Sequence, residues 1–423
     1  MLPLAILLQL AVTNSMPQVT LAEALRRATA LDPGYVAALG RVDNAEWGRR
    51  AARLVFILPA VSARVDATKY STSFFNIGTG TPQSTSVTAE LDAQYELLSL
   101  RKLADLSRTG AQLRSAEAGE VKARFSAALF TESDYYAVLA NEELSRVAAE
   151  RVSRAEEQLV VARARVVSGA AVQTDSLQLM LELSRARVEQ LRQDAALRVA
   201  RLQLGRRVGE AGPVDAAPLD ASPAPPLPLT LPELVQAALE TGPEYQAARA
   251  DEIATAAALR GQRGTYLPQL NLSASHVRFD DHFFPNARAV SSITLGVSLP
   301  IWNNGQREIA VTQARVNRDV SRAIRADLQL AAQRDVTEAY EAYNTARATT
   351  DLSETSQTVA QENFRVQQSR YRAGATTILD LLDAQLSLTQ AQADLVRSRY
   401  ANRLALAGLE AILGTRLFPT PAT

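Results

Sequence analysis

The sequence contains the same pattern twice. The landmarks Leu21, Pro33, Tyr35, Leu58, Gly169, Asp175 and Gly209 recur in the same order as Leu231, Pro243, Tyr245, Leu267, Gly374, Asp380 and Gly414. The offset between partners stays between 205 and 210 residues. Because so many landmarks keep one order and nearly one spacing, we predict two tandem repeats, at 16–210 and 230–415. Any fold must therefore contain one supersecondary unit twice.

Proline and apolar residues mark the segments outside the repeats. Six prolines fall between Pro213 and Pro228. Proline fixes φ and lacks an amide donor, so we predict an extended linker over 211–229. After the second repeat, residues 416–423 are predicted to form a short C-terminal tail. Residues 1–15 hold an apolar run shorter than the about 20 residues of a membrane-spanning helix. They are predicted to be a signal peptide, with a short buried helix as the alternative.

The composition excludes several functional classes. None of the 423 residues is cysteine, so disulfides, zinc–thiolate sites and thiol nucleophiles are absent. The sequence has only two histidines, His276 and His282, which offer few ligands for a metal site and few groups for acid–base chemistry. The net charge of zero argues against a nucleic-acid partner. The chain also lacks a phosphate loop and a nucleophile elbow, and we predict neither an enzyme nor a cofactor.

Each repeat opens with a helical pattern and continues with alternation of period two. Thr20 and Thr230 stand three residues before a glutamate, the pattern of a capping box. Alanine-rich sequence then predicts helix to about Leu58 and Leu267. The alternation that follows predicts four strands, at about 59–72, 84–98, 268–280 and 289–302.

These strands favour a membrane barrel. Ordinary strands average about 5–6 residues, whereas lengths near ten with one apolar and one polar face are typical of transmembrane barrels. The hairpin tips carry Phe74, Phe75, Phe283 and Phe284, where an interfacial aromatic belt would lie. A half-buried soluble sheet with loop aromatics is the alternative. Four strands cannot close a barrel, so the membrane interpretation requires several chains; three would supply about twelve strands.

Long helices follow each hairpin. The patterns at about 100–167 and 305–372 lack proline and would each reach on the order of 100 Å, so they need lateral partners. Return helices are predicted at about 172–207 and 377–413. Apolar residues, with small residues mixed in, mark three seams at coiled-coil spacing: Val316, Val320, Ile324, Leu328 and Ala331; Leu177, Leu181, Ser184, Val188 and Leu191; and Leu381, Ala384, Leu388, Ala391 and Leu395. An ordinary soluble coiled-coil bundle is the alternative.

The phrase RYRAGATTILDLLDAQ, residues 370–385, and its twin RVVSGAAVQTDSLQLM, residues 165–180, join the long and return helices. Glycine tolerates positive φ, so each phrase predicts a chain reversal, with a mere kink as the alternative. Asp380 fits a helix cap that starts at Thr377. Asp383 lies one turn further in and is not explained by capping. The two acids therefore form either a cap alone or part of a charged pore.

These features, with the strand-to-helix phrase LGVSLPIWNNGQRE at 295–308, resemble the TolC-type outer-membrane efflux proteins over nearly the whole mature chain. The resemblance implies a mainly α protein with a membrane β part. Its two repeats would each hold a two-stranded hairpin and long coiled-coil helices. Three chains would form a 12-stranded β-barrel on a 12-helix α-barrel.

The resemblance also implies function and partners. The chain would be the exit duct of a tripartite efflux or type I secretion system, in the outer membrane with a long periplasmic extension. Its partners would be two further copies, a periplasmic adaptor, an inner-membrane pump and outer-membrane lipid. An envelope coiled-coil scaffold and a pump-independent porin-like channel are the alternatives. The sequence does not indicate the cargo.

Site residues follow from the same resemblance. The implied pore constriction consists of Asp175, Tyr371, Asp380 and Asp383; in a trimer the last two would supply six carboxylates, a ring that favours cations. The implied tip turns and adaptor contacts are Ser168, Gly169, Ala373, Gly374, Thr376 and Thr377, and the implied strand–helix junction is Pro300, Trp302 and Gly305. Two departures stand out. Thr376 replaces an arginine that helps to lock the closed tip in some members, and the first repeat lacks the junction glycine.

Overall fold

The computed structural model describes residues 16–77, 80–219, 225–280 and 288–418. The predicted signal peptide and Phe283 and Phe284 lie outside these ranges. In chain order the elements are β1 (Gln18–Val19), α1 (Leu21–Leu31), α2 (Pro33–Leu54), β2 (Ala60–Asn76), β3 (Thr81–Leu98), α3 (Leu100–Val167), α4 (Gln173–Val208), β4 (Asp215–Ala216), α5 (Leu231–Glu240), α6 (Pro243–Gly264), β5 (Gln269–Asp280), β6 (Arg288–Ser298), α7 (Gln306–Arg372) and α8 (Ile378–Leu413).

The opening helix of each repeat is broken, and the prediction of one continuous helix is wrong. The breaks fall at Pro33 and Pro243, which begin α2 and α6. Proline lacks the donor that would continue the helical ladder, and its ring clashes with the carbonyl one turn earlier. The second helices end at Leu54 and Gly264, short of the predicted ends.

The two predicted capping boxes differ. At Thr230 both halves of the box are present, and the Glu233 carboxylate accepts from the Thr230 amide at 2.8 Å. At Thr20 only half is present: the Thr20 hydroxyl accepts from the Glu23 amide at 3.3 Å. The carboxylate of Glu23 instead binds the neighbouring arginines of α1, and that half of the prediction is wrong.

The four long strands form one antiparallel sheet in the order β2-β3-β5-β6. The pairing of β3 with β5 joins the two hairpins, from Val87 opposite Asp280 to Leu98 opposite Leu270. Strands β2 and β3 have 17 and 18 residues, longer than predicted, while β6 ends at Ser298 instead of about residue 302. Within the described chain, β2 and β6 each have one edge without a partner strand.

The predicted linker is not wholly irregular. Strand β4 lies inside it and pairs in parallel with β1. The hydroxyl of Tyr135 donates to the carbonyl of Ala217 at 2.7 Å, and Tyr135 is fully buried beside Val19 and Val214. Because these contacts satisfy backbone groups next to several prolines, the part of the linker before residue 220 is fixed.

The chain divides into two compact units. One comprises 39–119 and 244–330, and contains the four-stranded sheet. The other comprises the described parts of 1–38, 120–243 and 331–423 and contains three buried apolar clusters. Over the residues that the structure describes, no helix is both long and apolar enough to cross a membrane.

The predicted seams have different environments. In α8, Leu381, Ala384, Leu388 and Leu395 are buried, as the coiled-coil spacing predicts. The α4 seam is instead uncovered, since the chain buries a neighbouring stripe of Leu179, Leu183 and Ala186. The exposed fractions of the uncovered seams are 57% for Leu177, 51% for Leu181, 50% for Val188, 68% for Leu191, 49% for Val316, 51% for Val320 and 51% for Ile324. Helices α4 and α7 thus carry apolar stripes that one chain does not cover.

Candidate functional site

The two tip turns, residues 168–172 and 373–377, reverse the chain in the same way. Gly169 and Gly374 have φ of +74° and +77°, where a Cβ atom is strained. The amides of Ala170 and Ala375 donate to the carbonyls of Arg165 and Arg370, each at 2.8 Å. These bonds close the last turn of the long helices, so both glycines make turns and not kinks.

Asp380 is held by the cap of α8. Its Oδ2 accepts from the Thr377 hydroxyl at 2.6 Å, the Thr376 hydroxyl at 2.8 Å and the Thr377 amide at 3.1 Å. The hydroxyl of Thr377, followed by that of Thr376, holds the pKa of Asp380 below its ordinary value. Thr376, the departure from the arginine of some TolC-type proteins, therefore has a structural use that sequence reasoning missed.

The other two implied acids differ from Asp380. Asp383 is exposed, and its carboxylate makes no hydrogen bond or ion pair with any described residue. Asp175 lies in the first turn of α4, where the N-cap residue Val172 has no side-chain acceptor. Burial raises the pKa of the Tyr371 phenol, and the negative charge of Asp175 raises it further. Asp175 thus acts on Tyr371 through its charge, whereas Asp383 is free.

Arg165 joins the two repeats at the tip, a contact that sequence reasoning missed. Its guanidinium carbon lies 4.7 Å from the ring centre of Tyr371. It donates to the carbonyl of Tyr371, and to that of Ala170 at 3.2 Å. In each repeat an arginine stands five residues before the alanine that follows the tip glycine: Arg165 before Ala170, and Arg370 before Ala375. This repeated arginine was the sequence signal that pointed to a role at the tip. One side chain therefore holds the end of α7 and the first tip turn.

The apolar cluster behind the tip turns contains polar groups without partners. Tyr371, Leu179 and Leu381 belong to this cluster. Gln158 and Gln385 are buried, with exposed fractions of 4% and 1%. Both amide groups and the hydroxyl of Tyr371 lack a hydrogen-bond partner among the described residues. Each such group costs about 1–3 kcal/mol. The packing here is less favourable than its apolar content suggests.

A second candidate region is the strand–helix junction of the second repeat. Gly305 has φ of +76°, and Asn304 before it has φ of +57°. Arg307 lies over the ring of Tyr266, 3.9 Å from its centre, and donates to the carbonyl of Pro300 at 2.9 Å. Trp302 is 72% exposed at this end of the sheet. The arginine fixes the turn that the glycine permits.

Lys102 performs the same task in the first repeat, where the junction glycine is missing. Its side chain is only 7% exposed. The ammonium donates to the carbonyl of Val55 at 3.1 Å and to that of Glu96, and lies 4.5 Å from the ring centre of Tyr95. Lys102 and Arg307 stand 205 residues apart, within the repeat offset. A cation at the start of the long helix is therefore common to both junctions.

The comparisons relate this chain to efflux proteins. Residues 234–415, within the second repeat, match the family described as outer membrane efflux protein. The chain is 27% identical over 384 residues to the cobalt-zinc-cadmium resistance protein CzcC of Cupriavidus metallidurans, covering 88% of this chain and 84% of the relative. It is 29% identical over 351 residues to the pyoverdine export outer membrane protein OpmQ of Pseudomonas putida, covering 78% and 71%.

Solved structures show the same fold. The outer membrane protein VceC of Vibrio cholerae matches with a TM-score of 0.76 at 19% identity, over 94% of this chain and 97% of that one. The CmeC outer membrane channel of Campylobacter jejuni matches with a TM-score of 0.79 at 14% identity, over 93% and 85%. The mainly helical TolC-type fold predicted from the sequence is confirmed, and so are the predicted channel function and outer-membrane location.

Proposed function

We propose that this protein acts as a homotrimer in the outer membrane and forms the exit duct of a tripartite efflux system. The observation that carries the proposal is the sheet with two unpartnered edges, β2 and β6. Backbone groups at such edges have no water to bind inside a bilayer, so β6 of one chain would pair with β2 of the next. Three chains would then share one barrel of about twelve strands.

The uncovered seams support the same assembly. Leu181 and Val188 of α4 and Val320 of α7 are each about half exposed. In water, apolar stripes of this length favour a partner helix, at about 25 cal/mol per Å² buried. Neighbouring copies would cover these stripes.

The tip turns are the proposed contact with a periplasmic adaptor, through which an inner-membrane pump would deliver cargo. The relatives differ in cargo: one name gives cobalt, zinc and cadmium, and another gives pyoverdine. The proposal therefore names the duct and not the cargo. Of the implied adaptor contacts, Ser168, Gly169, Ala373, Gly374 and Thr377 are exposed, and Thr376 is partly buried.

The proposed pore constriction lies at the same turns. The carboxylate of Asp383 has no hydrogen-bond or ion-pair partner among the described residues, whereas the carboxylate of Asp380 accepts hydrogen bonds in the cap of α8. Three copies would place these carboxylates around one axis and favour cations. Asp175, whose charge acts on the Tyr371 phenol, and Tyr371 itself would flank them.

Cross-linking tests the shared barrel. The chain has no cysteine, so introduced cysteines are unique. We expect some pairings of a cysteine in β2, scanned from Val61 to Val65, with one in β6, scanned from Ile293 to Leu295, to give covalent trimers on denaturing gels. The control pair Leu91→Cys and His276→Cys lies on paired positions of β3 and β5, and should cross-link within one chain.

Membrane extraction supplies the second readout. The wild-type protein should stay in the membrane through a carbonate wash and migrate as a large species on unheated gels. Release as a monomer, together with only intrachain cross-links, would exclude the trimeric duct.

A further inference from the structure

A groove separates the start of α3 from the end of α6, just below the sheet. It has a volume of about 510 Å³ and is lined by Leu100, Leu103, Ala104, Ser107, Arg260 and Arg263. Its floor is formed by close helix contact. A Cβ atom on Gly264 would lie 3.0 Å from the Cβ of Leu100, and one on Gly261 would lie 3.2 Å from that of Ala104. Larger residues there would push the two helices apart.

The two arginines of the groove have no carboxylate partner within the described part of the chain. Arg260 donates to the hydroxyl of Ser107 at 3.2 Å. Arg263 has no side-chain hydrogen bond or ion pair among those residues. By contrast, Arg325 in the same unit binds Glu252. Two guanidinium groups without a carboxylate partner, beside exposed Leu100 and Leu103, form a surface that is both cationic and apolar.

The direction in which the groove opens follows from α3. Arg101 is 3.9 Å from the carboxylate of Glu96, which belongs to the charged face of β3. Asp105 and Arg108 pair at 3.0 Å on the same side of the helix as Arg101. None of these residues lines the groove. Leu103, 58% exposed, lies on the other side of the helix. The groove therefore opens on the side of the apolar face of the sheet.

We propose that this groove binds a phospholipid of the periplasmic leaflet of the outer membrane. The guanidinium groups of Arg260 and Arg263 would hold the phosphodiester, since arginine binds phosphate through charge-assisted hydrogen bonds. The acyl chain would lie over Leu100 and Leu103. The groove lies directly after the last residues of β3, where strands of a membrane sheet meet the headgroup region.

The strand order argues against a second copy of the chain as the occupant. Strands β3 and β5 are neighbours inside the sheet. Helix α3, which follows β3, and helix α6, which leads into β5, contact each other through Gly261 and Gly264. The free edges belong to β2 and β6, so copies that share a barrel would meet there. The proposal goes beyond the proposed duct, because it requires only the outer-membrane location.

The test is a titration of the purified, delipidated full-length protein by native mass spectrometry. The probe is dioleoylphosphatidylglycerol, with glycerol 3-phosphate as the phosphate without acyl chains and dioleoylglycerol as the acyl chains without phosphate. We expect the phospholipid alone to bind tightly. Arg260→Gln with Arg263→Gln should weaken binding by at least about tenfold, and the two lysine substitutions should restore part of it.

Matched variants distinguish binding in this groove from non-specific attraction of the anionic lipid to positive charge on the protein. Arg101→Gln with Arg108→Gln removes the same charge at the same level of α3, and should leave phospholipid binding unchanged. Leu103→Ser should weaken the phospholipid without affecting any glycerol 3-phosphate binding. Equal binding by wild type and the Arg260, Arg263 variant would overturn the site, and so would tight binding of glycerol 3-phosphate alone, which would indicate a free-anion site.

Discussion

The guanidinium of Arg165, in the first repeat, lies over the ring of Tyr371, in the second, at 4.7 Å from its centre. The same group donates to the carbonyl of Tyr371 and to the carbonyl of Ala170. A single side chain therefore connects the tips of the two repeats, although the residues that it joins are 206 positions apart in the sequence. In TolC-type proteins with an arginine at the position of Thr376, that residue helps to lock the tip; here Thr376 belongs to a helix cap.

Removing this tie should open the tip. Arg165→Ala deletes the ring contact and the two carbonyl bonds, together about 2–3 kcal/mol, which is more than tenfold in an opening equilibrium. We expect a higher mean conductance in planar bilayers. Tyr371→Phe is the matched control, because the Tyr371 hydroxyl has no partner among the described residues and the ring remains. A phenylalanine variant as open as the alanine variant would contradict this account.

The two aspartates should have separable effects. Asp383→Asn should lower cation selectivity and weaken block by trivalent cations without changing the start of α8. Asp380→Asn should also disturb the cap. The pKa of Asp380 is lowered in the folded state, so the cap stabilises the fold above the ordinary pKa and is lost as the pH falls through the lowered value. Acid melts of the Asp380 variant should lack this step, while unchanged selectivity in both variants would exclude the charged ring.

We expect the buried amide groups of Gln158 and Gln385 to favour opening of the tip. Gln158→Leu and Gln385→Leu replace unpaired polar groups by apolar ones of similar size, which removes about 1–3 kcal/mol of penalty each. We expect a higher melting temperature and a lower conductance. Leu388→Gln, which adds an amide to the same cluster, should do the reverse. A Gln385→Leu variant that melts earlier than wild type would show that a bound water or neighbour satisfies the amide.

Lys102 should be essential for the first junction. Lys102→Met keeps most of the volume but leaves the carbonyls of Val55 and Glu96 without a donor and removes the contact with the Tyr95 ring. The expected loss is about 2–4 kcal/mol, measured as yield of heat-stable oligomer and as melting temperature. Lys102→Arg should retain much of the stability. A methionine variant that assembles normally would refute the role of the cation.

A buried ion cluster should make stability depend on pH. Arg416 binds Glu132 and Glu410, each at 2.6 Å, and both acids are buried. Burial raises the pKa of Glu132, and Arg416 opposes this rise. Arg416→Gln removes the opposing charge, so the folded pKa rises further. Stability should then be greatest below the ordinary pKa and be lost as the pH rises through the folded value.

The comparison of melts at pH 5 and pH 8 measures this effect. The Arg416→Gln variant should be destabilised by about 3–5 kcal/mol at pH 8 and by less at pH 5. Arg416→Lys serves as the control, because it retains the charge. An equal loss at both values of pH would exclude the buried carboxylates as its source.

Much of this molecule was predictable because its determinants are local. The duplication, the alternation of period two and the glycines at 169 and 374 predicted the repeats, the strands and the turns. The reciprocal cap of Thr377 and Asp380 needs only residues three apart. The wrong prediction for the opening helices also has a local explanation, because Pro33 and Pro243 are the residues at which these helices break.

Contacts between distant residues were decided only by the tertiary structure. Periodicity shows that α4 has apolar stripes, but packing decides that Leu183 is covered and Leu181 is not. The order β2-β3-β5-β6 places α3 beside α6 and forms the groove with Arg260, which no pattern in either segment predicts. Arg165 likewise meets Tyr371 only after both repeats have folded. Sequence periodicity determines which elements form, because it acts over a few residues, whereas the partners of side chains depend on which elements come to lie side by side.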